Sequence, residues 1–422
     1  MPTPTAPEAY SSDDPHSVGR HVGLHGRAFR LLVLATVTSF CGYVLLLPLV
    51  PLWATRGGAG EFGAGLTTAM FMLTTVLTQL PMPWLLDHGG YRWTFPVGAL
   101  LLGVPAPLML LTVDLAGLLA LSAVRGVGFG MLTVAGTALA ARLVRPDQIG
   151  RAAGYYGMAV GLPNLVLLPG GVWLALSIGF DTAFWVAGVG PVLGAVAAFG
   201  IWLSVGEGRP PEDDDRVTAA REERRTGRVL GPLLVMLVAA VASSAIVTFL
   251  AIPLERRPWI AIMALLAYSV LLVTGRWAAG WVSDRAGRPM LLVPAMVSAA
   301  IGMALTAGAI WPARDGWDGP GAVGGAVVVL GAALFGAGFG ATQNDTVVVL
   351  FRRTGPADYG TASAAWNIGY DAGTGVGALG LGVALQYLGY GWGFALTAVA
   401  VAMFVPVASA LARERRTGRT RR

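Results

Sequence analysis

The 422-residue chain contains no lysine, and only 12% of its residues are charged, about half the share typical of soluble globular proteins. Its mean hydropathy is +0.66, and the apolar residues lie in long blocks. These properties exclude a soluble globular protein. All 29 basic residues are arginine, which is typical of a GC-rich genome and favours a bacterial source.

Cysteine and histidine are equally scarce. The single cysteine, Cys41, excludes a disulfide framework. His88 is the only one of four histidines beyond the first 28 residues, so no metal-His or Ser-His set lies within the apolar blocks. No polar stretch is long enough for the nucleotide domain of an ATP-driven pump, and the arginines form no basic domain for nucleic acid. We therefore expect no enzyme activity, metal, cofactor or nucleic-acid partner.

Twelve apolar blocks are long enough to cross a lipid bilayer, which takes roughly 18 or more apolar residues. The sequence therefore predicts an all-α integral membrane protein with twelve transmembrane helices. The first block is too long for a cleaved signal peptide and is read as a retained helix. The blocks lie at about 29–53, 65–86, 94–113, 115–143, 152–178, 182–204, 230–254, 259–282, 290–311, 322–350, 360–386 and 392–411.

An internal repeat divides the chain into two halves. One glycine-rich pattern recurs at an offset of 210 residues, and a duplicated half-molecule in a membrane chain indicates a transporter. We expect two pseudo-symmetric six-helix bundles at 29–204 and 230–412, a disordered tail at 1–28, a linker at 205–229 and a basic tail at 413–422. The linker is read as solvated, with a regulatory docking site as the alternative. The first copy comprises Gly126, Gly128, Phe129, Gly130, Arg142, Pro146 and Gly150, and the second Gly336, Gly338, Phe339, Gly340, Arg352, Pro356 and Gly360.

Arginine placement predicts the orientation in the membrane. With the N-terminus in the cytoplasm, 23 of the 29 arginines lie on the cytoplasmic side, and two, Arg125 and Arg276, lie within helices. The positive-inside rule favours this orientation, with both termini in the cytoplasm and the protein in the cell membrane. The four arginines left outside are Arg56, Arg256, Arg257 and Arg314.

The loop after the eighth block reads Gly280-Trp-Val-Ser-Asp284-Arg285-Ala-Gly287-Arg288, which resembles the GxxxDRxGR signature of the major facilitator superfamily. The loop after the second block is similar but degraded, with proline for the first glycine and His88 for the first basic residue. The resemblance covers nearly the whole chain and implies twelve helices, each six-helix half being an inverted 3+3 repeat. In this family these loops latch the two halves on the cytoplasmic face. The expected gate residues are Asp87, Gly90, Arg92, Arg276, Gly280, Asp284, Arg285, Gly287 and Arg288.

Helix 1 carries Gly42, Pro48 and Pro51, which resemble the Gly-x5-Pro-x-x-Pro pattern of the family's twelve-helix drug:proton antiporters. Kinks near a helix end are the alternative reading of the prolines. Helix 4 carries Arg125, and an arginine in this helix is linked in those antiporters to proton coupling or cavity polarity. A structural ion pair or a snorkelling side chain is the alternative. The antiporters' helix 5 motif is missing, which weakens this assignment.

Asp371 lies near the middle of helix 11 and is the main candidate for proton coupling, with Arg125 and Asp345. Burial disfavours the charged carboxylate, as a proton-carrying group requires. The alternative is that Asp371 hydrogen-bonds a neighbouring helix and never titrates. Asp345 lies nearer the cytoplasm and is the secondary candidate. The expected substrate cavity comprises Tyr43, Phe71, Gln79, Arg125, Gln343, Asn344, Trp366, Asn367 and Tyr370.

These features predict a secondary transporter that works by alternating access. We expect a monomer that exports a small drug-like or metabolite molecule in exchange for protons, with the proton gradient as its energy source. Import of a small nutrient by proton symport on the same fold is the main alternative. A non-transporting receptor or an embedded enzyme is a minor one.

Overall fold

The computed structural model describes residues 23–86, 90–144, 148–205, 226–286, 289–313, 317–354 and 359–413. Within these ranges the chain forms twelve principal helices and no strand, so the all-α prediction is confirmed. The first six are α1 (Arg27–Arg56), α2 (Gly60–Gln79), α3 (Tyr91–Gly103), α4 (Leu115–Arg142), α5 (Ile149–Ser177) and α6 (Phe180–Val205). The others are α7 (Thr226–Ser244), α8 (Pro258–Ala286), α9 (Leu292–Ala309), α10 (Ala322–Thr354), α11 (Tyr359–Leu388) and α12 (Tyr390–Met403).

Eleven helical spans in the described part of the chain are long and apolar enough to cross a membrane. The remaining principal helix, α2, is 20 residues long. Its several threonines and Gln79 lower its hydropathy. Packing accounts for this composition, because α2 lies between α4 of its own half and α11 of the other half. Threonines such as Thr67 and Thr75 satisfy their hydroxyls by donating to backbone carbonyls within the bundle.

Several predicted blocks are interrupted helices. Proline lacks the N–H that an α-helix needs and its ring displaces the preceding turn. Accordingly α3 is followed by short helices at Pro105–Leu108 and Met109–Leu111, and α12 by a helix at Val405–Arg413. The predicted block 65–86 stops as α2 at Gln79 and resumes briefly at Met82–Leu85. Helix α7 continues into a π-helical turn at Ala245–Phe249.

The repeated glycines mark the closest helix contacts in each half. A Cβ on Gly126 of α4 would collide with the Phe71 carbonyl of α2, and one on Gly336 of α10 would collide with the Tyr268 carbonyl of α8. Gly128 packs in the same way against α3, and Gly338, its counterpart in the second copy, packs against α9. Small residues let helix backbones approach closely without a competing side chain. The repeat therefore encodes the same three-helix contact twice.

The helix ends define two faces. The terminal face holds the start of α1 and the end of α12; there, the Gly23 N–H donates to the Leu143 carbonyl, 3.0 Å away. The distal face holds the connections α1–α2, α7–α8 and α11–α12. At the distal face the two halves of the chain touch: Arg56 pairs with Glu255, and the Tyr390 hydroxyl hydrogen-bonds Glu61 at 3.2 Å. The structure is therefore closed at the distal face.

Candidate functional site

Helices α2 and α11 run antiparallel along the boundary between the two halves. Near the distal face the Phe62 N–H donates to the Gln386 side chain at 3.4 Å. Further in, Gly375 of α11 lies against Met72 of α2. At the inner end of this contact the Gln79 Nε2 atom donates to an Asp371 carboxylate oxygen at 2.8 Å. Asp371 thus lies at the interface of the halves, buried midway along its helix.

The Gln79 amide joins both halves. Its Nε2 atom also contacts the Thr133 hydroxyl of α4 at 3.2 Å, whereas its Oε1 atom is buried without a partner in the described structure. Asp371 is 4% exposed, and no salt bridge to it is found in the part of the chain that the structure describes. A buried carboxylate without a countercharge is costly in the ionised state, and a single neutral donor offsets only part of that cost.

Aromatic rings form a layer in the first half of the chain. Tyr43 of α1 stacks on Phe129 of α4 with ring centroids 4.0 Å apart, and on Phe71 of α2 at 5.6 Å. Phe40 completes the group edge-on against Tyr43. Tyr43 and Phe71 also line a small cavity between α1, α2 and α4. Two predicted cavity residues therefore lie together.

Arg125 lines the same cavity and is 4% exposed. Its Nε atom donates to the Leu102 carbonyl at 3.2 Å, and its Nη2 atom lies 3.5 Å from the Gly42 carbonyl oxygen. Its guanidinium lies 5.5 Å from the centroid of the Phe71 ring, within the range of a cation–π interaction. Gly42 of the helix 1 motif therefore contacts Arg125 through its backbone carbonyl oxygen. Pro48 and Pro51 lie within α1, and Pro51 also lines the cavity.

The second half has its own aromatic ladder. Phe339 of α10 stacks on Phe335 at 5.6 Å and on Tyr370 of α11 at 6.2 Å. Trp366 stacks on Tyr370 at 6.0 Å, and its indole N–H donates to the Thr346 hydroxyl at 3.1 Å. Asn367 lies half-buried on α11, one turn before Asp371.

The two halves place related residues at equivalent positions. Gln79 precedes Arg276 by 197 residues, the same offset that separates Asp87 and Asp284. Gln79 contacts Thr133, and Arg276 donates to the Gln343 side chain at 3.4 Å; Thr133 and Gln343 are themselves 210 residues apart. Arg276, also predicted as a gate residue, lies two turns before Asp284 on α8 and has an exposed side chain.

Asp345 makes its described hydrogen bonds within the second half. It is fully buried and accepts hydrogen bonds from the Ser283 hydroxyl at 2.9 Å and from the Asn344 amide at 3.3 Å. The amides of Leu291 and Leu292 at the start of α9 also face its carboxylate. A carboxylate at a helix N-terminus is stabilised by the unpaired amides there. Ser283 and Asn344 both donate to Oδ1, so Asp345 connects α8 to α10, whereas its Oδ2 atom is buried without a partner in the described structure.

Four of the predicted gate residues, Gly90, Arg92, Gly280 and Arg285, are described near the terminal face. Gly90 immediately precedes α3, and Arg92 lies over the Trp93 ring. Gly280 of α8 packs beside Asn344, and Arg285 lies 3.5 Å from the Trp281 ring centroid. Asp87, Gly287 and Arg288 lie outside the described residues, as does the side chain of Asp284.

Several neighbours of these residues were missed by sequence reasoning. Ser122 lies one turn before Arg125 and lines the same cavity, and Thr133 contacts Gln79. Phe129 and Phe339 belong to the repeat but were not assigned to a cavity. The offset of 210 residues could have identified Phe129 and Phe339, because it places an aromatic ring at the same position of each half. Within the described part of the chain, no group of three possible metal ligands occurs.

Comparison with known proteins agrees with this architecture. A bacterial homologue of the human lysosomal transporter Spinster, in an inward-facing and occupied conformation, has a TM-score of 0.68 and 16% identity, covering 91% of this chain and 95% of its own. The nucleoside transporter NupG has a TM-score of 0.68 and 11% identity, covering 92% and 100%. The peptide transporter POT in complex with sulfate has a TM-score of 0.71 and 14% identity, covering 95% and 99%. At such identities the likeness shows the fold alone.

No curated protein sequence matches the chain significantly. The sequence model described as Major Facilitator Superfamily matches residues 32–377, from the first helix into the eleventh. The matched residues cover most of the chain and extend into both of its halves. The chain belongs to the Major Facilitator Superfamily and is a multi-pass membrane transporter, not an enzyme.

Proposed function

We propose that this protein exports a small drug-like or metabolite molecule across the cell membrane in exchange for protons. The observation that carries the proposal is Asp371, a buried carboxylate at the boundary between the halves with one neutral donor, Gln79. A proton-coupling group must change charge where the two halves separate. Asp371 hydrogen-bonds across that boundary, whereas the described hydrogen bonds of Asp345 stay within one half.

Protonation of Asp371 changes what it offers to Gln79. The carboxylate accepts from the amide Nε2 atom, whereas the neutral acid carries a donor. The unpartnered Oε1 atom of Gln79 gives that donor an acceptor after the amide rotates. The hydrogen bond between the halves therefore differs between the two protonation states. This difference is what links proton binding to the alternation between the two open states.

The substrate binds between the aromatic layers of the two halves, close to Asp371. Tyr43 lines the same cavity as Arg125, and Tyr370 of the second aromatic layer immediately precedes Asp371 on α11. The terminal face is cytoplasmic, as the arginine distribution favours. The resemblance of helix 1 to the drug:proton antiporters supports export. The proton gradient supplies the energy and no cofactor takes part.

Proton symport of a nutrient into the cell is the rival function, because α5 lacks the antiporters' helix 5 motif. Both functions use Asp371 and differ in the direction of proton flow. A neutral amide at this position cannot titrate but still accepts from Gln79, so Asp371→Asn preserves the hydrogen bond between the halves.

The test is a pH-gradient assay in inverted vesicles with a panel of amphipathic drugs and metabolites. For export we expect a compound to dissipate the inside-acid gradient with the native protein. Asp371→Asn should lose this proton movement and retain substrate counterflow without a gradient. Asp318→Asn is the matched control, since Asp318 is exposed at the distal face. Normal proton-driven transport by Asp371→Asn rejects the assignment, and proton flow in the same direction as the substrate replaces export by symport.

A further inference from the structure

We infer that the cavity between α1, α2 and α4 binds the anionic group of an organic acid, held by Arg125 and Ser122 beside the aromatic layer. The inference rests on the proposed transport function and names the class of substrate: a carboxylate attached to an aromatic body. It depends on four observations about this cavity.

The first observation is that Arg125 has unused donors. A guanidinium carries five N–H groups. The carbonyls of Leu102 and Gly42 take one nitrogen each, Nε and Nη2. Both contacts are at the long end of the hydrogen-bond range, and they leave donors available to the cavity that Arg125 lines.

The second observation is that Arg125 lacks a countercharge. No carboxylate forms a salt bridge with it among the residues that the structure describes. A charged side chain in a membrane-spanning helix is costly, and such charges are usually paired. Backbone carbonyls and the Phe71 ring reduce that cost but do not neutralise the charge. An anion brought in by the substrate does.

The third observation is that a second polar group in the same cavity, the Ser122 hydroxyl, has no hydrogen-bond partner in the described structure. Ser122 is 1% exposed. It lies three residues before Arg125 on α4, so both side chains project from one side of the helix. Six buried hydroxyls lack a partner in the described structure, and Ser122 is the one that lines this cavity. A carboxylate oxygen accepts from the hydroxyl while the other oxygen accepts from the guanidinium.

The fourth observation comes from the other half of the chain. The residue 210 positions after Arg125 is Phe335, which packs fully buried in the aromatic ladder between Tyr268 and Phe339. The same position of the fold is therefore filled by an apolar ring where no charge is needed. Arg125 is a departure from the repeat rather than a packing requirement.

The aromatic layer defines the remainder of the ligand. Tyr43 and Phe71 line the cavity and stack in the layer with Phe129. The cavity is small, so it accommodates the acidic group while an aromatic body lies along these rings. Offset stacking of such rings is favourable beyond the area that they bury.

The test measures equilibrium binding to the full-length protein in nanodiscs of zwitterionic phosphatidylcholine, which carry no anionic headgroup. Benzoate is compared with benzamide, of the same shape without the charge, and with benzylamine, of opposite charge. We expect benzoate to bind at least about tenfold more tightly than either, because hydrogen bonds to charged groups contribute about 1.5–3 kcal/mol. Adding anionic phosphatidylglycerol should leave benzoate binding within twofold; competition by this lipid would make the site a headgroup site and overturn the assignment to substrate.

Three variants locate the site. Arg125→Gln should abolish the preference for benzoate over benzamide. Ser122→Ala should weaken the binding of benzoate by about tenfold and leave the binding of benzamide and benzylamine unchanged. Arg30→Gln removes an arginine that is exposed at the terminal face and should change nothing. If Arg125→Gln does not fold, the benzoate affinity of Ser122→Ala still tests whether benzoate binds in this cavity. Equal binding of the three probes, or unchanged benzoate binding in Ser122→Ala, overturns the inference.

Failure of the inference and failure of the proposed transport function give different results. Proton-driven transport of neutral or cationic compounds, with no preference for benzoate, rejects the anion site and leaves the transporter proposal standing. Binding of benzoate that depends on Arg125, without proton movement in the vesicle assay, rejects proton coupling and leaves the site standing.

Discussion

Gln79 of α2 donates a 2.8 Å hydrogen bond to Asp371 of α11 across the boundary between the two halves of the chain. The bond lies at the inner end of the α2–α11 contact that begins at the distal face. A neutral amide is a weak partner for a buried carboxylate, since a full ion pair supplies a countercharge and this one does not. Under the proposed function, protonation of Asp371 would change this contact between α2 and α11 directly.

Replacing Gln79 should weaken the closed distal face. Gln79→Leu removes the bond to Asp371, which as a hydrogen bond to a charged group is worth about 1.5–3 kcal/mol. We expect the population open at the distal face to rise about tenfold. Spin labels at Val113→Cys and Val323→Cys, in a Cys41→Ser background, report the separation by pulsed electron resonance. Leu77→Ala, at an exposed position on α2, is the control; an unchanged distance distribution in Gln79→Leu would contradict the role.

Asp345 should behave in the opposite way to Asp371. It is held by Ser283 and Asn344 within one half, so Asp345→Asn is expected to preserve proton coupling and to lower stability by about 1–3 kcal/mol. Thermal unfolding in detergent and the vesicle assay measure the two effects separately. Loss of proton-driven transport with unchanged counterflow in Asp345→Asn would transfer the coupling role to this residue.

The fold was predictable because the membrane makes hydropathy and repetition informative. Apolar blocks predicted twelve helices, and the offset of 210 residues predicted two related halves. The helix ends were less predictable, as at α2, where the predicted block continues to 86 and the helix stops at Gln79. Hydropathy averages over many residues and cannot detect a local break that proline introduces.

The site was predictable only residue by residue. Asp371 and Arg125 stood out because charges are rare in membrane helices. Gln79 was placed in the cavity, but its partnership with Asp371 depends on how two helices 292 positions apart meet, which one sequence does not encode visibly. Ser122 carried no signal at all, because a serine in an apolar helix is ordinary until its neighbours are known.

Enlarging the repeated glycines should destabilise the protein equally in both halves. Gly126→Ala and Gly336→Ala add a Cβ against the carbonyls of Phe71 and Tyr268. Overpacking of this kind costs about 1–3 kcal/mol. Gly161→Ala and Gly380→Ala are matched controls, because no atom lies within 4 Å of the added Cβ. Thermal unfolding temperatures of Gly126→Ala and Gly336→Ala should lie clearly below those of the two control variants. Indistinguishable temperatures would mean that the close helix contacts are dispensable.

The ion pair between Arg56 and Glu255 should bias the distal face without holding it alone. Both side chains are about two-fifths exposed, and exposed pairs contribute about 0–1 kcal/mol. Arg56→Glu places two like charges together, so we expect the distal-open population to increase up to about fivefold at low salt and less at high salt. The double exchange Arg56→Glu with Glu255→Arg should restore the native distribution, measured with the same spin labels. If the double exchange stays as open as the single variant, attraction between these two charges is not what favours closure, and the Glu61–Tyr390 and Phe62–Gln386 contacts carry it instead.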